Sequence, residues 1–255
     1  MRTLTFEKAS VCLMALGFAL VPARAQAQHA TPHWSYSGHG GPAEWGGLDP
    51  SFAACSNGKV QSPINITGAK KADLPALTFD YTAVPLRLID NGHTVQVSYA
   101  GGSTLTVGKD VYTLKQFHFH HPSEEHVNGQ GFDLVAHLVH ADAAGHLAVV
   151  AVLFTRGAPN PLLDVIWNNL PKEKEKVTDV PGVTVNVTEF LPADRGYYTF
   201  AGSLTTPPCS EGVRWIVLKT RATLSDAQLA TFAKLYPGDA RPIQPANARE
   251  ILESR

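Results

Sequence analysis

Residues 116–124 read Gln-Phe-His-Phe-His-His-Pro-Ser-Glu, and the alternation of histidine with phenylalanine constrains whatever is built around them. A strand sends successive side chains to opposite faces, so His118 and His120 share one face with Gln116 while Phe117 and Phe119 enter the other. The segment therefore requires a sheet with an apolar layer behind it and a polar pocket in front. Residues 133–140 also have β character, and pairing them with the first strand brings His137 beside the other two imidazoles. Three neutral imidazoles converging on one point form a zinc site with an open fourth position, the arrangement used for catalysis rather than structure. A lone histidine would instead be read as a packed residue with satisfied hydrogen bonds.

The surrounding chain supplies the sheet. Short β-type runs fall at 86–89, 94–99, 104–107, 111–120, 132–140, 148–155 and 213–220. Asn91-Gly92, Gly101-Gly102 and Asn128-Gly129 furnish turns, so neighbouring strands are expected to be mostly antiparallel. Only 161–169 and 225–236 have helical character, the first opening on Pro161 and the second capped by Ser225, with Leu229, Phe232 and Ala233 on one face. Two helices are too few to alternate with these strands in a parallel βαβ sheet. No internal repeat and no low-complexity linker divides the chain, which predicts a single mainly β (α+β) domain.

Hydrophobic residues make up 44% of the 255 and charged residues 17%, a balance that supports a packed core. With 21 Lys and Arg against 22 Asp and Glu, there is no basic surplus to neutralise a phosphate backbone, and no nucleic-acid partner is expected. Arg2 and Lys8 precede a 13-residue apolar run ending at Val21, and Ala23-Arg24-Ala25-Gln26-Ala27 follows it. That order reads as a cleaved signal peptide over 1–25, cut after Ala25 or Ala27, with a mature domain over 26–255. The run is short of the roughly 20 residues that span a bilayer and no later run reaches that length, so no stable membrane anchor is expected. The predicted location is periplasmic or secreted. Processing removes Cys12 and leaves Cys55 and Cys209, an even pair in an oxidising compartment. A disulfide between them is expected to stabilise the fold by about 4 to 5 kcal/mol, with two separate buried thiols as the alternative.

Together the 116–124 strand, His137-Leu138-Val139-His140 and Ser203-Leu204-Thr205-Thr206-Pro207-Pro208 resemble the α-class carbonic anhydrases, particularly exported bacterial ones. The likeness extends through His33-Trp34-Ser35-Tyr36, Gln61-Ser62-Pro63-Ile64-Asn65-Ile66, Asn91-Gly92-His93 and Arg241-Pro242-Ile243-Gln244-Pro245. The resemblance implies a central twisted, mostly antiparallel sheet of about ten strands with a few short peripheral helices. It also implies a zinc lyase that reversibly hydrates carbon dioxide to bicarbonate and a proton through zinc-bound hydroxide, with weak esterase side activity. The partners so implied are CO2 and bicarbonate, in a monomer or homodimer.

Carried over by position, the resemblance makes His118, His120 and His137 the Zn2+ ligands and Gln116 the hydrogen-bond partner of His118. Thr205 would accept a hydrogen bond from the hydroxide while donating its own hydroxyl hydrogen bond to Glu124, and His93 would shuttle protons, its ordinary pKa of about 6.5 suiting it to that task. Tyr36, Asn91 and Gln96 would order intervening waters. Val139, Val149, Leu204 and Trp215 would wall an apolar CO2 pocket, Thr206 would lie near bicarbonate, and a Cys55–Cys209 disulfide would tether the loop that carries Thr205.

The sequence departs from the family where a glutamate usually precedes the third ligand by two positions, because that position is Val135. Valine accepts no hydrogen bond, so the expectation is weaker zinc retention or slower turnover, improved by Val135→Glu. A second departure places Glu125 and His126 directly after Glu124. Two other readings compete. One is a noncatalytic periplasmic zinc-binding or recognition protein on the same fold, which loss of a ligand or of Thr205 would mark. The other is a cupin iron or manganese site using His118, His120 and Glu124, for which the chain lacks a glycine six positions before His118 and a matching second motif.

Overall fold

Alternation along the central strands sorts the hydrophobic residues of this chain into two separate layers. In the computed structural model, which describes residues 33–255, the strands are β1 (Asn65–Ile66), β2 (Lys70–Ala72), β3 (Leu77–Asp80), β4 (Val84–Asp90), β5 (Val95–Ser98), β6 (Thr104–Val107), β7 (Asp110–His120) and β8 (His126–Val127). They continue as β9 (Leu134–Ala141), β10 (Leu147–Arg156), β11 (Thr178–Val185), β12 (Tyr197–Ser203), β13 (Glu211–Leu218), β14 (Ala222–Leu224) and β15 (Leu252–Ser254). The expected leader, 1–25, and both cleavage positions lie outside the described residues.

Thirteen strands form one sheet, whose main path runs β11-β4-β5-β7-β9-β10-β13-β12-β15-β2, with β6 beside β7, β3 beside β6 and β14 beside β10. Most pairs are antiparallel, as the turns predict, but β10 pairs in parallel with both β13 and β14, and β15 with β2. The sheet is therefore mixed. Asn128-Gly129 supplies a tight turn with both residues at positive φ, but it closes Val127 on Gln130 rather than joining the two histidine strands directly.

On one face Phe117, Phe119, Leu134, Ala136, Leu138, Val150, Val152 and Phe154 belong to the main core. Two helices cover it. α1 (Pro161–Trp167), capped by the Asn160 side chain, and α2 (Asp226–Leu235), opened by a capping box between Ser225 and Gln228, place Trp167 and Phe232 against Phe119. Gln228 also bonds both backbone polar groups of Asn160, joining the two helix starts. Each buried phenylalanine contributes on the order of 1.5 to 3 kcal/mol from apolar area removed from water.

The opposite face carries a second, smaller cluster in which Val135, Val149, Ala151, Leu153, Trp215 and Val217 are buried. A third cluster gathers Trp45, Phe52, Cys55 and Cys209. Cys55 and Cys209 form a disulfide across a separation of 154 residues, as the even pair predicts. The bonds preceding Pro63, Pro122 and Pro208 are cis. Among the described residues, no helix is long and apolar enough to cross a membrane.

Candidate metal centre

Register, rather than sequence proximity, assembles the site. Between β7 and β9, His118 stands opposite His137 and His120 opposite Val135, so three corners of a four-residue patch on one face are imidazoles. The ring centroids lie 5.0 Å apart for His118 and His120, 5.4 Å for His118 and His137, and 4.9 Å for His120 and His137. One ring nitrogen from each lies within 4.8 Å of the others, so the triad can hold a metal ion.

The other ring nitrogens are engaged by acceptors of three kinds. His118 Nδ1 donates to the Gln116 amide oxygen at 2.9 Å, the partnership expected from their shared face. His120 Nδ1 donates to the backbone carbonyl of Asp239 at 2.7 Å. His137 Nε2 donates to the Glu125 carboxylate, 3.0 Å from Oε1 and 3.1 Å from Oε2. These bonds fix the tautomers and leave Nε2 of His118, Nε2 of His120 and Nδ1 of His137 with free lone pairs. With Val135 unable to accept a hydrogen bond, His137 takes its acceptor from another side chain, and that side chain is Glu125. Glu125, the second departure, comes from the segment after β7 to supply a carboxylate that β9 does not.

The donor set fits zinc. Imidazoles ligate it through neutral nitrogens, and His120 Nε2 and Glu124 Oε2 are buried with no hydrogen-bond partner, 3.7 Å apart. Such orphaned polar atoms are costly in a dry interior unless something charged satisfies them. Burial, together with His120 and His137, holds His118 well below the ordinary histidine range and so keeps it neutral. Burial opposes charge on His120 as well, but the carboxylates of Glu124 and Asp239 outweigh it and raise that imidazole above its usual value. Burial pushes the Asp239 carboxyl up to about 7. The cluster thus favours added positive charge beside a neutral donor, as a cation site should.

Glu124 Oε1 accepts the backbone N–H of Arg241 at 2.8 Å, while Oε2 has no donor. The expected hydrogen bond from Thr205 to Glu124 is accordingly not formed, although Thr205 is buried on the loop following β12. Arg241 is itself buried, its guanidinium bonded to the carbonyls of Cys55 and Ser62 and to Gln61 Oε1. Gln61 Nε2 in turn donates to the carbonyl of Cys209. The disulfide, the Thr205 loop and Glu124 are therefore joined through one buried arginine.

A cavity of about 130 Å³ opens onto His118 and His120 and is lined also by Gln116, Thr206, Gln96 and Tyr36. Gln96 stands opposite His118 in the pairing of β5 with β7. Toward its rim the cavity reaches Asn91, His93 and Trp34. Asn91 Oδ1 accepts the N–H groups of His93 and Thr94, so this side chain shapes the turn that presents His93. Burial and the neighbouring His33 lower the His93 pKa.

The four residues expected to form the apolar wall lie outside that cavity lining, against the second core cluster. Val139 stands opposite Val149 and Val149 opposite Trp215, giving one row across three strands, with Leu204 packed beside the same cluster. The Trp215 ring meets His137 edge to face at 4.9 Å, and its N–H donates to the carbonyl of Ser203, just before the Thr205 loop. Sequence reasoning missed Glu125, Arg241, Asp239 and Trp34 as parts of the site. Glu125 could have been found from its own oddity, a second consecutive acidic residue in a segment otherwise destined for burial.

The family described as eukaryotic-type carbonic anhydrase matches residues 40–255. A carbonic anhydrase of Neisseria gonorrhoeae is 46% identical over 223 residues, covering 87% of this chain and 88% of the relative. One of Pectobacterium carotovorum is 44% identical over 221 residues, covering 86% and 90%. A hyperthermostable carbonic anhydrase from an active hydrothermal vent chimney superposes with a TM-score of 0.85 at 45% identity, covering 88% of this chain and all of that one.

Proposed function

The chain belongs to the eukaryotic-type carbonic anhydrase family and is a carbonic anhydrase, hydrating CO2 reversibly to bicarbonate, and from that premise we propose how its own residues carry the reaction. His118, His120 and His137 hold Zn2+ through the three ring nitrogens their hydrogen bonds leave free. When bound, zinc supplies a Lewis acid able to lower the pKa of a water to about 7. Gln116, the Asp239 carbonyl and Glu125 orient the three imidazoles and hold each in the required tautomer.

Glu124 Oε2, buried without a donor, is the acceptor that the Thr205 hydroxyl needs. Once that bond forms, the Thr205 oxygen is left to accept a hydrogen bond and so to aim the lone pair of an attacking water. Val139, Val149, Leu204 and Trp215 exclude water from the side where apolar CO2 is held, and Thr206 contacts bicarbonate. Tyr36, Asn91 and Gln96 order the waters through which a proton reaches His93. The neutral imidazole of His93 accepts that proton and releases it to buffer. Weak hydrolysis of activated esters would use the same site.

We place the catalytic domain at 26–255, after a signal peptide cut at Ala25 or Ala27, and the mature chain in the periplasm or outside the cell, as a monomer or homodimer without a stable membrane anchor. The Cys55–Cys209 disulfide supports an oxidising destination. The observation that carries the reading is the triad itself, one half-buried and two buried imidazoles whose outer nitrogens are all committed and whose inner ones are not. The noncatalytic alternative loses support because the ligands and Thr205 are all present. Stopped-flow CO2 hydration by the mature protein, before and after zinc removal and replenishment, tests it. A large rate that disappears and returns with zinc is expected; no rate from a chain holding one zinc would overturn the catalytic assignment.

A further inference from the structure

We propose that Glu125 is the positioning residue that orients His137 for the metal, and that positions 125 and 135 are alternative seats for a single carboxylate, of which this chain fills the first. The inference rests on the reading of the triad as a zinc site. Two consecutive glutamates bracket one imidazole. Glu124 Oε2 stands 3.9 Å from His137 Nδ1, and both oxygens of Glu125 reach Nε2 on the opposite edge of the ring. The Glu125 side chain is fully buried and has no other hydrogen-bond partner among the described residues, so that N–H is the group it serves.

The backbone around Glu125 is pinned on both sides. Ser123 exchanges backbone and side-chain bonds with Phe132, its N–H to the Phe132 carbonyl at 2.9 Å and its Oγ accepting from the Phe132 N–H at 2.8 Å, and its hydroxyl donates to the Glu125 carbonyl. On the far side His126 is paired with Asn65 where β8 meets β1. A carboxylate held this way reaches His137 preorganised, without spending conformational freedom when metal arrives.

Val135 occupies the other seat. It lies two residues before His137 on β9, hence on the same face, and directly opposite His120. Val135 is itself fully buried and, on its other side, packs into the second apolar cluster. A carboxylate added there would share one N–H with Glu125, and two buried like charges at one donor disfavour each other. The substitution that looks beneficial from the sequence, Val135→Glu, is therefore expected to weaken zinc binding while Glu125 is present and to restore it when Glu125 is gone.

The test measures zinc release from the full mature protein by chelator competition, alongside thermal unfolding of the zinc-free form. Glu125→Gln, matched in shape, is expected to lose zinc 10 to 100-fold more readily, the range such partners command. Val135→Glu alone should also lose it more readily, whereas Val135→Gln, which adds the bulk without the charge, should do so less. The combined Glu125→Gln, Val135→Glu protein should recover most of the loss on a logarithmic scale. Retention unchanged within twofold in Glu125→Gln, or no recovery in the combined protein, overturns the proposal, as does lowered stability of the zinc-free form with unchanged zinc release. A wild-type chain that binds no zinc at all would sink the metal reading itself, and this inference with it.

Discussion

The imidazole of His93 lies flat against the indole of Trp34, their ring centres 3.7 Å apart and their planes 7° from parallel. Trp34 is in turn packed edge to face against Tyr36 and Trp45, so the platform under His93 is continuous with the aromatic cluster beside the disulfide. A ring held this way can exchange protons at the mouth of the cavity while its position is set from below.

Replacing His93 with alanine should slow hydration turnover mainly in dilute buffer, with zinc content unchanged. Imidazole added to the assay should restore the rate. Equal rates for the variant and the parent at low buffer would remove His93 from proton transfer.

Because burial and His33 lower the His93 pKa while Glu175 raises it, the imidazole remains a neutral acceptor to a lower pH than an ordinary histidine. The limb of the turnover-against-pH profile that depends on His93 should therefore lie below about 6.5. Glu175→Gln, which removes a raising influence, should move that limb further down. An upward movement would contradict the assignment.

Acid should destabilise the fold through His140, which is fully buried against Tyr81, its Nε2 2.6 Å from the phenol oxygen. Burial holds its pKa at about 4, against backbone hydrogen bonds that act to raise it. The unfolded chain binds this proton first, near pH 6.5, so the contribution is complete above that pH and is lost between about 6.5 and 4, amounting to about 3 kcal/mol. Denaturant titrations at several pH values should show a shallower acid loss for His140→Gln than for the parent, although the variant starts less stable at neutral pH.

Removing the disulfide as Cys55→Ser, Cys209→Ser should cost about 4 to 5 kcal/mol in the chain-entropy picture. Arg241 and Gln61 bond the carbonyls of the two cysteines, so they should keep part of the loop in place. The expected result is a lower unfolding midpoint with a smaller fractional loss of hydration rate at 25 °C. A rate that falls to background while the protein stays folded would mean the bridge itself positions Thr205.

Seven strands, β4 to β7, β9, β10 and β13, were readable from alternating or continuous β-type runs bounded by turns, whereas the short or irregular β1, β2, β3, β8, β11, β12, β14 and β15 were not. His118 and His120 with Phe117 and Phe119 announce both layers, and the β-rich run at 133–140 is long enough to pair with them. The two helices that cover the main core were readable from their starts, since Pro161 and Ser225 act locally, while the Asn160 cap emerged only in the structure. What the sequence concealed depends on groups that carry no side-chain signature or on contacts made across the sheet. The acceptor for His120 is the backbone carbonyl of Asp239, which any residue there could offer. The acceptor for His137 comes from outside its own strand, so Val135 shows that a substitute is needed without showing which residue supplies it. The parallel pairing of β10 with β13 likewise leaves no local mark.

Register between β7 and β9 has one further effect. A slip of one residue would exchange the two faces, turning His137 into the helix-covered core and bringing Leu138 or Ala136 to the patch in its place. His140, the other histidine of β9, lies three residues on and in the native register is committed to Tyr81 on the opposite face. The triad is therefore a product of assembly as much as of sequence: a chain whose strands have paired out of register leaves His118 and His120 without a third imidazole.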